Sequence, residues 1–419
     1  MMTPRRLPLN ILPSSYQIPP CSSAPEVSSL PSGEDKQSLL ALYRSSDLSR
    51  YVLRTPTRLF DTITKRSFPL TTPRETLSQN NLLAGQERDA IAAHILALPE
   101  HLQLMIIPTW ECNLRCSHCS VLHKLVREDL NTIDIPKFMG FIDRYINRYH
   151  PTAIRATYLG GEALLGASVC LNIRRDIIAR GIQFDDSITT NLSLDLTPYR
   201  MQLLNEVGLI VVSIDGTEKQ HNKQRHGYDN VYERTISNLI DLLKAGLRDK
   251  IKIQASLTET DGQSRKEFYR TLLKLGIESK NIVYACAHVT PRNPEPNQYY
   301  LKSLRSGRGR TKPCCEFRYM SHFIVDSTNR LYINYFEKGS PLGELDDELD
   351  RIERGYRDRV LDQMPILHDK VCMEKCDVVG YCWGGCTSSK PLTGYYPSEY
   401  CGRHELTRAI AGLADGDGL

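Results

Sequence analysis

The sequence predicts an α/β chain built on an open, mostly parallel sheet. The expected form is a partial (β/α)6 barrel, with an N-terminal α+β extension and a cysteine-rich C-terminal domain. Three observations point there. Strand-like and helix-like stretches alternate six times between residues 104 and 292, the signature of a parallel sheet with helices outside. The polar motifs of that region each fall where a strand should end, which is where parallel α/β architectures place their sites. The 13 cysteines are clustered, three at 112–119 and seven at 314–401, leaving Cys21, Cys170 and Cys286 alone. Six units are too few to close an eight-stranded barrel, hence the open form.

Residues 1–35 are rich in Pro and Ser without periodicity and are expected to be disordered. Residues 36–100 form the extension. Residues 50–60 read as a strand and turn around Thr55-Pro56, and residues 86–98 as a helix with Ile91, Ile95 and Leu98 on one face. The barrel spans 101–305. Its first strand, 104–109, runs into the cysteine loop. Asp134-Ile135-Pro136 opens a helix with Phe138, Ile142, Tyr145 and Tyr149 on one face. The second strand, 153–159, ends at Gly160-Gly161-Glu162, and the following helix stops near Gly181. The third strand ends at Asn191. Thr197-Pro198 starts the next helix, with Thr as N-cap and Pro in the first turn. Residues 209–215 form an apolar fourth strand, followed by a helix with Ile236, Leu239, Ile240 and Leu243. Residues 251–257 alternate as the fifth strand. Ser264 and Glu267 make a capping-box pattern before a helix closed by Gly276, and 282–289 is the sixth strand. Residues 306–419 make the C-terminal domain.

Composition narrows the function. With 53 Lys and Arg against 49 Asp and Glu, the chain carries no nucleic-acid footprint. No apolar run approaches the length that spans a bilayer, so no membrane partner is expected. The opening Met-Met-Thr-Pro-Arg-Arg lacks the apolar core of a secretory signal, so a cytoplasmic location is expected. Clustered cysteines in such a compartment argue for metal ligation over disulfides.

The strongest motif is Cys112-x3-Cys116-x2-Cys119, three soft ligands on one short loop directly after a strand. An iron–sulfur cube normally takes four cysteines, so three leave one iron open to a small molecule. A zinc knuckle would need a fourth local ligand, and His118, between two cysteines, cannot easily close the tetrahedron. The loop resembles the signature of the radical S-adenosylmethionine (radical SAM) enzymes. The resemblance implies a radical SAM barrel in which a [4Fe–4S] cluster held by Cys112, Cys116 and Cys119 chelates S-adenosylmethionine. Reductive cleavage then yields a 5′-deoxyadenosyl radical that abstracts hydrogen from substrate.

The same resemblance assigns the strand ends. Gly160-Gly161-Glu162 is similar to the family's Gly-Gly-Glu-Pro, with Ala163 in place of the proline; the glycines admit the methionine ammonium and Glu162 offers it a negative partner. Thr190 and Asn191 resemble the pair near the cofactor after the third strand. Ser213-Ile214-Asp215-Gly216 is similar to Ser-x-Asp-Gly, which implies Ser213 beside S-adenosylmethionine. It also implies that Asp215 is the catalytic group, with the loop through His221 and Arg225 approaching substrate. Ser256 is expected to face the cofactor, and His118 to stack near the adenine.

Cys372-x3-Cys376-x5-Cys382-x3-Cys386, followed by Cys401, resembles the SPASM extension of these enzymes. The resemblance implies an auxiliary [4Fe–4S] cluster on Cys372, Cys376, Cys382 and Cys401. Cys386 would reach across with Cys315 to a second cluster that is short of ligands. In the upstream hairpin Asn329 stands where the family has glycine, and Asn334 where it has a second cysteine. A zinc ribbon stapling a small domain is the alternative for these cysteines.

SPASM enzymes largely modify peptides and proteins, so the implied partners are a ribosomally made precursor peptide and a reductant such as flavodoxin or ferredoxin. The extension at 36–100 is then expected to bind a leader peptide. One alternative is a sulfatase-maturing enzyme that makes formylglycine, but Asn334-Tyr335 stands where those relatives carry an aspartate base. A zinc-stapled binding protein without catalysis is the other.

Overall fold

The computed structural model describes residues 47–49, 52–54, 58–61, 66–86, 99–119, 121–122, 124–126, 128–256, 262–285, 320–333 and 341–363. The expected disorder at 1–35, the helix at 86–98 beyond Gln86, and Cys21, Cys286, Cys315, Cys372, Cys376, Cys382, Cys386 and Cys401 lie outside them. Two compact units divide the chain, one drawing on 99–299 and 320–356, the other on the remainder.

In the second of these units, β1 (Val52–Arg54), β2 (Arg58–Asp61) and β3 (Arg66–Pro69) form an antiparallel sheet in sequence order. The strand expected within 50–60 is thus β1, with β2 beginning before its end, while the turn expected at Thr55-Pro56 lies outside the described residues. Helix α1 (Arg74–Gln79) follows, and Val52, Leu59, Phe68, Leu77 and Leu82 bury one another.

The other unit holds the barrel elements. β4 (His101–Ile107) alternates buried and half-buried residues before entering the cysteine loop. Helix α2 (Ile135–Tyr149) begins as the sequence predicts: the Asp134 side chain accepts the Lys137 N–H, and Pro136 fills the first turn. β5 (Ala153–Tyr158), α3 (Ala167–Ile178) and β6 (Gln183–Thr190) complete two further βα units. Helix α4 (Pro198–Glu206) leads to β7 (Leu209–Ser213). A short helix α5 (Glu218–Gln224), with a capping box between Thr217 and Gln220, precedes α6 (Val231–Lys244). β8 (Ile251–Ser256), α7 (Gly262–Lys274) and β9 (Ile282–Ala285) finish the series. Helix α7 starts two residues before Ser264, so that serine lies inside the helix and is not its cap.

β4 to β9 lie side by side in sequence order, all parallel, as the sequence predicts. The sheet extends beyond them. β10 (His322–Asp326) pairs parallel with the outer edge of β4, β11 (Arg330–Tyr332) pairs antiparallel with β10, and β12 (Gly343–Glu344) antiparallel with β11. Residues 320–356 therefore pack with the parallel sheet, although the sequence analysis assigns them to the C-terminal domain. The reason is apolar: Phe323, Ile324 and Val325 are all buried, and both neighbours of β10 are strands. Helix α8 (Leu349–Gln363) seals this end. Its Tyr356 meets Phe323 at 5.3 Å, Phe323 meets Phe141 of α2 at 5.4 Å, and the Tyr145 hydroxyl donates to the Met320 carbonyl. Each such ring contributes about 1.5–3 kcal/mol through burial.

Candidate active site

Parallel register brings the carboxyl ends of β4 to β8 to one rim, and the predicted site residues among the described ones lie at or just after those ends. Cys112, Cys116 and Cys119 lie on the loop after β4, each partly exposed. A strap after β7 holds this loop. The Arg115 N–H donates to the His226 carbonyl at 2.5 Å and the Ser117 N–H to the Gln224 carbonyl at 2.8 Å. Gly227 permits the approach, since a Cβ there would stand 2.5 Å from the Asn113 carbonyl oxygen. On its other side the Arg115 guanidinium donates to the Cys112 carbonyl at 2.6 Å.

The motif after β5 presses on the same loop. A Cβ on Gly161 would lie 2.0 Å from the Glu111 carbonyl oxygen, and one on Gly160, at φ 135°, would lie 2.7 Å from that of Thr109. These glycines are required by the close packing of two loop backbones before any ligand is considered. Glu162 then turns inward and is buried. It accepts the Thr190 hydroxyl at 2.6 Å, the Asn191 N–H at 2.8 Å and the Leu164 N–H at 3.1 Å. Burial raises its pKa, and those three donors oppose the rise.

Asn191 continues the ring back to the cysteines. Its amide donates to Asn113 Oδ1 at 2.9 Å, and the Asn113 amide donates to the Ser193 hydroxyl at 2.9 Å and Tyr228 at 3.3 Å. Asn113, Ser193 and Tyr228 were missed by the sequence reading. Their signals were an asparagine beside the first cysteine and a serine two residues after Asn191.

Asp215, after β7, is wholly buried. The Arg225 fork donates to it at 2.7 and 3.1 Å, the Ser256 N–H at 2.9 Å, and His118 Nε2 lies 3.5 Å away. Burial alone would raise its pKa, but Arg225 and His118 outweigh it and hold the carboxyl below the usual range. Both oxygens of the nominated catalytic residue are thus engaged. Arg225, expected to approach substrate, is buried, with Nη1 4.0 Å from Cys116 Sγ. His221 accepts the Asp215 N–H through Nδ1 at 3.2 Å and stacks edge-on against Tyr232; burial, then Arg225, pushes its pKa down to about 3. Ser213 and Ser256 are buried at neighbouring strand ends.

A further seam joins the cysteine loop to β10. Asp129 accepts the Trp110 N–H at 2.8 Å and the Ser327 hydroxyl at 2.6 Å, and the Trp110 indole donates to Asp326 at 3.1 Å. Lys124 stands 5.1 Å from both the Trp110 and Tyr332 rings.

The donor set fits an iron–sulfur cluster. Burial, then Glu162, pushes the Cys112 thiol up to about 12. Burial pushes Cys116 to about 11 against the pull of Arg225. Such thiols ionise when a metal takes the proton's place. The other two thiols add to the rise at Cys112, so the three sulfurs are close enough to feel one another. Among the described residues no three His, Cys, Asp or Glu side chains close around one point as a single ion requires. A cube, with ligands at separate corners, does not require it.

A parallel sheet in this order, with a three-thiol loop at its first strand end, is the arrangement that the resemblance to radical SAM enzymes implies. No family model matches the chain. A similar curated protein is the serine-type anaerobic sulfatase-maturating enzyme of Bacteroides thetaiotaomicron, 32% identical over 132 residues, which are 30% of this chain and 32% of that protein. The match thus spans about a third of the relative's length. Among solved structures, native anSMEcpe with bound AdoMet is 15% identical with a TM-score of 0.56, over 75% of this chain and 100% of that one. The same enzyme with AdoMet and the Cp18Cys peptide gives 15% and 0.56, over 75% and 97%. At these identities the structural likeness is one of fold. No described helix is long and apolar enough to cross a membrane.

Proposed function

We propose that this chain is a radical SAM/SPASM maturase on a partial (β/α)6 barrel, cleaving S-adenosylmethionine reductively to modify a peptide or protein. The observation behind this reading is the hydrogen-bonded ring Asn113–Asn191–Glu162, which locks the strand-end motifs to the loop bearing Cys112, Cys116 and Cys119. Cys112, Cys116 and Cys119 would hold a [4Fe–4S] cluster, and that cluster would supply the electron for cleavage of the sulfonium. Around it Gly160, Gly161, Glu162, Thr190, Asn191, Ser213 and Ser256 shape the bay for the cofactor, and His118 forms its wall. Asp215 holds Arg225 and His118 in place. Cys372, Cys376, Cys382 and Cys401 would hold an auxiliary cluster and Cys315 with Cys386 part of a second. A flavodoxin or ferredoxin would be the reductant.

The preferred substrate is a ribosomally made precursor peptide, with residues 36–100 as its leader-binding module. Formylglycine formation on a sulfatase is a second reading, supported by the name of the curated relative and by the anSMEcpe fold. The full chain, isolated without oxygen, should be brown, hold iron and sulfide, and release 5′-deoxyadenosine from S-adenosylmethionine with dithionite. Cys112→Ala, Cys116→Ala and Cys119→Ala together should abolish the release; unchanged release refutes the assignment. Mass spectrometry of a sulfatase peptide and of a precursor peptide encoded nearby separates the substrates. An aldehyde at serine or cysteine supports the second reading.

A further inference from the structure

The fork of Arg225 is seated on Asp215, and its remaining terminal nitrogen, Nη1, turns toward the sulfur of Cys116 at 4.0 Å. Side-chain exposure is 9% for Arg225 and 0% for Asp215, so solvent screens neither charge well. A guanidinium keeps its charge at every accessible pH. Asp215 is in turn anchored by the Ser256 N–H at 2.9 Å, which fixes the fork against the end of β8. The positive end of this ion pair, and not the carboxylate, is therefore the part presented to the ligand sulfur. Donors and positive charge beside cluster sulfurs favour the reduced cluster, which carries one more electron.

We propose that Arg225, clamped by Asp215, is a positioning residue that raises the reduction potential of the cluster at its Cys116 corner. This rests on the cluster assignment made above. The test is a redox titration of the reconstituted full chain, followed by the electron paramagnetic resonance of the reduced cluster, in a background lacking Cys372, Cys376 and Cys382. Arg225→Gln removes the charge, and its midpoint should move to more negative potential. Arg225→Lys keeps the charge but loses the fork, and should move less in the same direction. Asp215→Asn removes the opposing charge and should move the midpoint to more positive potential. Arg155→Gln, at a half-exposed site on β5, should leave it where it was.

Opposite signs for Arg225→Gln and Asp215→Asn support the proposal, because mere loosening of the loop would move both one way. An unmoved midpoint in Arg225→Gln at full iron content overturns it, as do shifts of the same sign. If Arg225→Gln does not take up iron, Arg225→Lys and Asp215→Asn decide by the same rule. A wild-type chain that takes up no iron and sulfide overturns the cluster assignment itself, and the proposal with it.

Discussion

Asn329 sits at φ 65° in the turn between β10 and β11, and its Oδ1 accepts the Asp134 N–H at 2.7 Å, 195 residues away in sequence. One residue thus closes a hairpin and fastens the start of α2, the helix that follows the cysteine loop. A left-handed backbone is open to glycine at no steric cost, and asparagine takes it more readily than other residues that carry a side chain. Asn329→Gly keeps the backbone state but loses the bonds to Asp134 and Thr132. Asn329→Ala loses the same bonds and also strains the turn by about 1 kcal/mol more. Urea unfolding of the full chain should rank wild type above Asn329→Gly, and that above Asn329→Ala. Equal midpoints for the two variants would remove the backbone argument.

Gly161 has no room for a methyl group. The obstacle is the Glu111 backbone, 2.0 Å from where the Cβ would stand, and backbone cannot rotate away as a side chain does. Gly161→Ala should therefore push the cysteine loop outward, destabilise the fold by about 1–3 kcal/mol, and lower iron uptake. Gly140→Ala, in α2 with its nearest neighbour at 3.5 Å, should leave iron uptake unchanged. Iron per chain after anaerobic reconstitution reads the difference. Full loading of Gly161→Ala would show that the loop can yield.

Much of the parallel series β4 to β9 was legible because strands such as β4 and β7 are apolar and because helices open on cap residues, with Asp134 bonded to the Lys137 N–H and Thr197 followed by Pro198. Its site was legible because each polar motif follows a strand directly. β10 escaped because His-Phe-Ile-Val-Asp is a short run far from the series in sequence, and its place in the parallel sheet comes from pairing with the open edge of β4. Arg225 was assigned to the wrong surroundings for a related reason. A charged residue in a loop reads as exposed, and nothing in the local pattern reveals that Asp215, ten residues earlier, folds back to bury it.

Glu162 accepts three hydrogen bonds from two neighbouring segments while wholly out of water, so its charge and its acceptors are both in use. Glu162→Gln keeps the shape but turns one acceptor into a donor facing donors. The loss should be about 1–3 kcal/mol of stability, with weaker retention of S-adenosylmethionine. Denaturant unfolding and equilibrium dialysis with labelled S-adenosylmethionine measure the two effects. A variant as stable as wild type would mean that the ring through Thr190 and Asn191 closes without the carboxylate.

His221 makes the fold sensitive to acid in a direction that follows from its burial. Its folded pKa lies near 3, against 6.5 for the ordinary side chain, so the folded chain keeps it neutral while the unfolded chain takes up a proton below pH 6.5. Stability is therefore intact above about 6.5 and falls as the pH drops from there toward 3, by about 1.4 kcal/mol per pH unit for one proton. His118, also lowered by burial, acts in the same sense. His221→Asn offers an amide oxygen to the Asp215 N–H in place of Nδ1 and cannot titrate. It should be less stable than wild type at pH 7, through the lost contact with Tyr232, yet lose less on acidification, so the gap between the two narrows by pH 5. Urea unfolding of the full chain between pH 7 and pH 5 reads this directly. Parallel curves would show that some other group takes up the proton.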